Sequence, residues 1–144
     1  MTTACTFCGI VRGETGASVV LDEELVMGFL DIRPLFHGHV LLVPKVHVVT
    51  LGEAPEELVP PLFLAARRLA RAVERGLGAE GSFVAMNNRV SQSVPHLHVH
   101  VVPRKKKDGL KGFFWPRTKY GSEGEMEAVR GRIAGALAEE GNQG

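Results

Sequence analysis

The chain has few of the residues that would allow its chemistry to be spread widely. Two of its 144 residues are cysteine, Cys5 and Cys8, and tryptophan and tyrosine occur once each. A disulfide between cysteines separated by two residues would close a very small loop and constrain the unfolded chain little, so no disulfide framework is expected. A metal site or a redox pair is the reading left for them. No apolar run is long enough to cross a bilayer, and no membrane association is expected. Neither a basic segment nor an apolar stretch follows Met1, so no secretory signal is expected and a cytoplasmic location is. Lys plus Arg number 17 against 16 Asp plus Glu. That balance argues against a nucleic-acid partner while leaving room for a local basic patch. Internal repeats and low-complexity linkers are also missing. What remains is a chain of 44% hydrophobic residues, enough for one domain over 1–144 with a real core.

Coarse patterning places five strands and two helices. Val19 to Leu21 and Leu25 to Asp31 read as a hairpin around Asp22–Glu24. Arg33 to Gly38 is a loop punctuated by Pro and Gly, and His39 to Val43 is a third strand stopped by Pro44. Leu62, Ala65, Ala66, Leu69, Ala70 and Val73 recur at helical spacing, with Pro55 and two acids ahead of them and Gly76 and Gly78 behind. Ser82 to Asn87 returns to strand pattern. A last helix is expected from Ser122, with Glu125 completing a capping box. Strands come as neighbours, so the fold class is α+β with a five-stranded antiparallel sheet and two helices.

The most informative segment is His96-Leu97-His98-Val99-His100-Val101-Val102-Pro103. On a strand, period two puts the three imidazoles on one face and Leu97, Val99 and Val101 on the other. Imidazole is a nucleophile when neutral and a hydrogen-bond partner, so a row of three suits an anionic substrate such as a phosphate. A metal-binding or buried histidine strand is the alternative.

This segment, with its Gln92-Ser93-Val94-Pro95 flank, resembles the histidine triad (HIT) nucleotide-binding proteins, and the zinc-containing bacterial type in particular. Cys5-Thr-Phe-Cys8 followed by Ile10, Phe29-Leu30-Asp31-Ile32 and Gly38-His39-Val40-Leu41-Leu42-Val43-Pro44-Lys45-Val46-His47 extend the resemblance to a core over 5–104. An extension and helix over 105–144 follow it. The resemblance implies hydrolysis or transfer at the α-phosphate of nucleoside phosphoramidates or nucleotidyl anhydrides, with release of a nucleoside monophosphate, AMP in the first instance. His98 would attack phosphorus to form a nucleotidyl-histidine intermediate. His100 would contact phosphate oxygens, and Ser93 would bond the phosphate or pass a proton to the leaving group. Gln92 and Asn87 would donate to phosphate oxygens. The loop from Asn87 to Ser91 lacks the glycine of many relatives, so either Asn87 or Asn88 could face the phosphate.

The same resemblance assigns Asp31 to the ribose hydroxyls and Phe7, Ile10, Phe29, Leu30 and Ile32 to the walls around a purine base. It makes Cys5, Cys8, His47 and His96 the ligands of a structural zinc, a closed tetrahedral set with no open position. It also implies a two-fold homodimer, with Phe113 to Trp115 near the interface. A dinucleoside polyphosphate hydrolase or phosphorylase, and a nucleotide-binding regulator with little turnover, are the alternatives. His37 and His39 are read as structural. Lys105 to Lys107 are a solvated loop or an electrostatic funnel for polyphosphates.

Overall fold

The protein is described here from a computed structural model covering residues 5–111 and 115–141. Phe113 and Phe114, expected near an interface, lie outside the described residues, and Trp115 is exposed. The chain forms two compact units, 1–108 and 109–144.

The first unit is built on five strands: β1 (Val19–Asp22), β2 (Val26–Leu30), β3 (Val40–Pro44), β4 (Gly81–Ala85) and β5 (Val99–Arg104). They form one sheet in the order β1-β2-β3-β5-β4, with every neighbouring pair antiparallel. Two helices of this unit, α1 (Thr6–Val11) and α2 (Val59–Leu77), pack against apolar residues of the sheet. β3 is buried along its whole length, and its side chains separate by parity. Val40 and Leu42 join Leu62, Ala65, Leu69 and Val73 of α2 in the larger core. Leu41 and Val43 join Phe29 and Met27 under Phe7 of α1. Alternation along one strand thus supplies two cores.

The expected long helix is α2, preceded by a 3-10 turn over Glu56–Leu58. It ends where Gly78 adopts the left-handed conformation (φ 64°) that favours glycine at a helix end. A second glycine is constrained more severely. Gly38, just before β3, has φ 99°, and a Cβ there would come within 2.2 Å of Leu77 Cδ1.

α1 was not among the expected helices. Its six residues are too few to show a period, and its N-cap is a thiol: Cys5 Sγ accepts from the Cys8 N–H at 3.4 Å. The histidine segment also departs from expectation. Only His100 belongs to β5, because the ladder with β3 stops at the Leu42–Val99 pair. His96 to His98 continue as unpaired chain, pinned by the Leu97 N–H to the Val48 carbonyl at 2.7 Å. The parity survives this: Leu97, Val99 and Val101 are wholly buried in the α2 core.

The second unit carries α3 (Glu123–Gly141). Ser122 Oγ accepts from the Glu125 N–H as expected, but Glu125 Oε2 accepts from Gly121 rather than from Ser122 itself. Among the described residues no helix is long and apolar enough to cross a membrane.

Candidate active site

Sheet register assembles the site. Phe29 pairs with Leu41, and Leu41 pairs with His100, so these three share the face that α1 covers. Phe7 descends from α1 onto that face and meets Phe29 and His98 edge-on, with ring centroids 5.4 and 5.1 Å apart. Beside them opens a cavity of about 330 Å³, within the range of small-molecule sites. It brings together Phe7, Ile10, Phe29, Leu30, Asp31 and Ile32 from the expected base and ribose set, and Ser93, His98 and His100 from the expected reacting set. Sequence reasoning missed Thr6, Thr15, Arg33 and Val94, which also line it. They lie on α1 and on loops, where no period marks them.

The partners of each ring nitrogen set the tautomers. His98 Nδ1 lies 2.7 Å from the His96 carbonyl oxygen. A carbonyl only accepts, so Nδ1 carries the proton and the neutral ring keeps its lone pair on Nε2. His100 is fixed through two steps. The Leu35 N–H donates to His39 Nδ1 at 3.1 Å, which leaves the His39 proton on Nε2. That Nε2 lies 2.9 Å from His100 Nδ1 and donates to it, so His100 carries its own proton on Nε2. Burial lowers the pKa of His39, and it pushes His100 down to about 4, helped by the neighbouring charges of His98 and His39. Both rings are therefore neutral near pH 7. The His98 and His100 ring centroids are 5.0 Å apart, closer than the ~6.6 Å between alternate residues along a strand.

His39, read from sequence as structural, thus touches a triad ring. No local signal in the sequence marks this contact, because only the pairing of β3 with β5 brings residue 39 beside residue 100. Asp31 follows β2, and its Oδ1 accepts from the Arg33 N–H at 2.9 Å. The Asp31 N–H in turn donates to the His39 carbonyl at 2.9 Å, which closes the loop between them.

The expected amide donors are placed differently. Gln92 spends both ends of its amide within its own surroundings: Nε2 donates to the Val49 carbonyl at 2.6 Å, and Oε1 accepts from Arg89 N–H at 3.0 Å. Asn88 Oδ1 accepts from Leu51 N–H, and Asn87 Nδ2 donates to the Ser91 carbonyl. None of the three lines the cavity. The loop lacks glycine, so Arg89 and Ser91 take up positive φ (72° and 62°) in its place. Lys105 to Lys107 are not at the cavity either. Asp108 holds their turn through the Arg104 guanidinium and the Lys105 N–H.

On the other side of Phe7, Cys5, Cys8, His47 and His96 direct one ligand atom each into a cluster in which all lie within 4.8 Å of one another. The two thiols lie 3.5 Å from His96 Nδ1, Cys8 lies 3.2 Å from His47 Nδ1, and the two Nδ1 atoms are 3.2 Å apart. A tetrahedron with ordinary zinc bond lengths has N···N edges of about 3.3 Å and S···N edges of about 3.6 Å. His96 Nε2 donates to the Pro44 carbonyl at 2.8 Å, so its Nδ1 lone pair faces the cluster. The four residues can hold a metal.

This site is a row of imidazoles on one sheet face, beside a largely apolar cavity with a single carboxylate among its lining residues. The chain belongs to the HIT domain family, whose model matches residues 12–107. It is 34% identical over 110 residues to adenosine 5'-monophosphoramidase HNT1 of Saccharomyces cerevisiae, covering 74% of this chain and 67% of that protein. It is 33% identical over 108 residues to adenylylsulfatase HINT3 of Arabidopsis thaliana; that match covers 74% of this chain but spans only about half of the relative, 55%. The crystal structure of a HIT family member from Bacillus subtilis superposes with a TM-score of 0.83 at 31% identity, covering 92% of this chain and 96% of that one. A zinc-bound histidine triad family protein from Mycobacterium smegmatis superposes with a TM-score of 0.71 at 36% identity, covering 94% and 96%.

Proposed function

We propose that this protein is a nucleotide hydrolase that cleaves at the α-phosphorus of a nucleoside 5'-phosphoramidate or nucleotidyl anhydride and releases the nucleoside monophosphate. The observation that carries the reading is the bond from His98 Nδ1 to the His96 carbonyl. It leaves the Nε2 lone pair for a cavity that also holds a carboxylate suited to two ribose hydroxyls. The relatives named as a monophosphoramidase and an adenylylsulfatase support it.

In this reading Phe7, Ile10, Phe29, Leu30 and Ile32 enclose the base, purine by preference, and Asp31 takes the ribose. His98 Nε2 forms a bond to phosphorus as the bond to the leaving group breaks, and the leaving atom takes the electron pair. The leaving atom takes a proton that reaches it from solvent through the Ser93 hydroxyl. The His100 Nε2–H donates to a phosphate oxygen as charge moves. Water then attacks phosphorus, the P–N bond to His98 breaks, its pair returns to Nε2, and a proton passes to solvent. Asn87 and Gln92 reach the phosphate only by exchanging their present partners for it.

Cys5, Cys8, His47 and His96 would hold a structural zinc, which supplies a rigid crosslink between α1 and the triad. The reading includes a two-fold dimer, supported by the exposed Phe63 and Leu64 on α2 and the exposed Val84 on the edge strand β4. The test is a rapidly quenched adduct, held in base because a phosphorus–nitrogen bond to imidazole breaks in acid. Adenosine phosphoramidate labelled at the α-phosphorus should transfer label to wild-type protein and not to His98→Ala. Label retained by that variant would refute the assignment.

A further inference from the structure

Outside both clusters, a hollow of about 280 Å³ opens in the first unit, and it shares no lining residue with the cavity beside Asp31. Three segments meet there: the loop before β3, the end of α2 and the end of β5. Phe36, Leu77 and Pro103 supply its apolar surface. Pro103 is buried and Phe36 half-buried, but 50% of Leu77 is left to solvent. Gly38 allows the three segments to close up, since a Cβ there would meet both Leu77 and Pro103.

The polar lining comes from His37, Lys105 and Asp108. The Asp108 carboxylate is balanced within the fold: it accepts from the Arg104 guanidinium and from the Lys105 N–H. Among the described residues, nothing accepts from the Lys105 ammonium or pairs with the His37 ring. The lining therefore holds one cation in excess and an imidazole that can donate. A carboxylate would gain charge-assisted hydrogen bonds there. An apolar body behind it would gain by burying surface against Phe36, Leu77 and Pro103. The volume suits a ligand of about ten non-hydrogen atoms.

The loop that walls this hollow also holds His39. The Phe36 carbonyl accepts from the His39 N–H at 3.0 Å, and the Leu35 N–H donates to His39 Nδ1 at 3.1 Å. An occupant packed on Phe36 restrains the backbone that sets the His39 ring, and that ring donates to His100.

We propose that this hollow is a second ligand site, for small organic carboxylates with an apolar body, and that its occupancy alters the His100 ring through Phe36 and His39. The site lies apart from the reacting groups, and the proposal stands or falls independently of the hydrolase reading.

The test is a nuclear magnetic resonance titration of the isotope-labelled full chain with 3-phenylpropionate, 3-phenylpropionamide and 3-phenylpropylamine. With the carboxylate, the amide signals of Phe36, Gly38, Ala79 and Lys105 should move along one saturating curve, with a Kd on the order of 1 mM. The His100 ring-nitrogen signals should move along the same curve, and the curve should persist in excess AMP. The carboxylate should bind about three- to fivefold more tightly than the amide, the scale of a solvent-exposed ion pair, and the amine should be weakest. Lys105→Glu should abolish that order, and Leu77→Ser should weaken the carboxylate about threefold. Dispersed spectra verify that both variants are folded, and the wild-type titrations are decisive without them. Movement of Phe7, Phe29 and Ile32 in place of the loop signals would overturn the site. Equal affinity for the three probes, or an unchanged order in folded Lys105→Glu, would overturn the ligand class. Saturation at the loop with no movement of the His100 ring would overturn the coupling.

Discussion

His96 and His98 are two residues apart and of one type, yet they serve different clusters, and the difference lies in which nitrogen the backbone holds. The Pro44 carbonyl takes the Nε2 proton of His96 and turns Nδ1 toward two thiols and a second imidazole. The His96 carbonyl takes the Nδ1 proton of His98 and leaves Nε2 for the cavity beside Asp31. One residue can ligate and the other can attack. The clusters also share a residue: the ring of His96 belongs to the first, while its carbonyl orients the second. Phe7 stands between them, edge-on to both rings, at 6.0 and 5.1 Å. Role here follows from the acceptor behind the ring more than from the residue type.

Disabling each cluster in turn tests this comparison most sharply. His98→Ala should reduce kcat by on the order of 10⁴-fold, as expected when a nucleophile is deleted from a unit whose members act together. Its metal content should stay at that of wild type, because His98 contributes no atom to the cluster behind it. Cys8→Ser should do the reverse. Metal content by atomic absorption should fall, and the stability conferred by ligation should be lost, about 4 kcal/mol where free metal exceeds its Kd a thousandfold. A variant that keeps a full equivalent of tightly held zinc would contradict the assignment of the four ligands.

Smaller effects sharpen the contrast. His39→Ala removes the donor that fixes the His100 tautomer and should lower kcat about tenfold or more. His39→Gln keeps an N–H near the position of Nε2 and should recover much of that loss. Equal losses in both variants would show that His39 acts only through packing. Stability should depend on pH through the same pair. The His100 pKa is 6.5 as a reference and about 4 in the fold, so the unfolded chain binds a proton first. The stabilisation from keeping His100 neutral is complete above about pH 6.5 and is lost progressively as pH falls toward 4. His39, also lowered by burial, acts in the same direction. Melting temperatures from pH 8 to pH 4 should fall less steeply in His100→Asn than in wild type. The smallest effect is expected in the loop before the triad. Ser91→Gly should change stability by less than about 1 kcal/mol, because relief of the left-handed conformation is offset by a freer unfolded chain.

The sequence made the sheet and the alternation legible, because period two over residues 96–102 and full burial of β3 are local consequences of side-chain parity. It made Cys5, Cys8, His47 and His96 legible as residue types suited to one metal. Three features depended on distant partners. The His39–His100 contact needs the β3–β5 register. The Gln92 amide is held by a carbonyl 43 residues away. The short helix α1 is capped by a cysteine, a residue that carries no capping preference of its own.

Gly38 shows how far such dependence reaches. A Cβ there would meet Leu77 and Pro103 and no ring of either cluster, yet Gly38 sets the course of the chain one step before His39, in a backbone geometry that side chains resist. A single added methyl group there would tilt His39, and the disturbance would reach the proton on His100 through one hydrogen bond. In a kinetic assay such a variant would look like a lesion in the histidine row, although Gly38 is not among the residues that line the cavity.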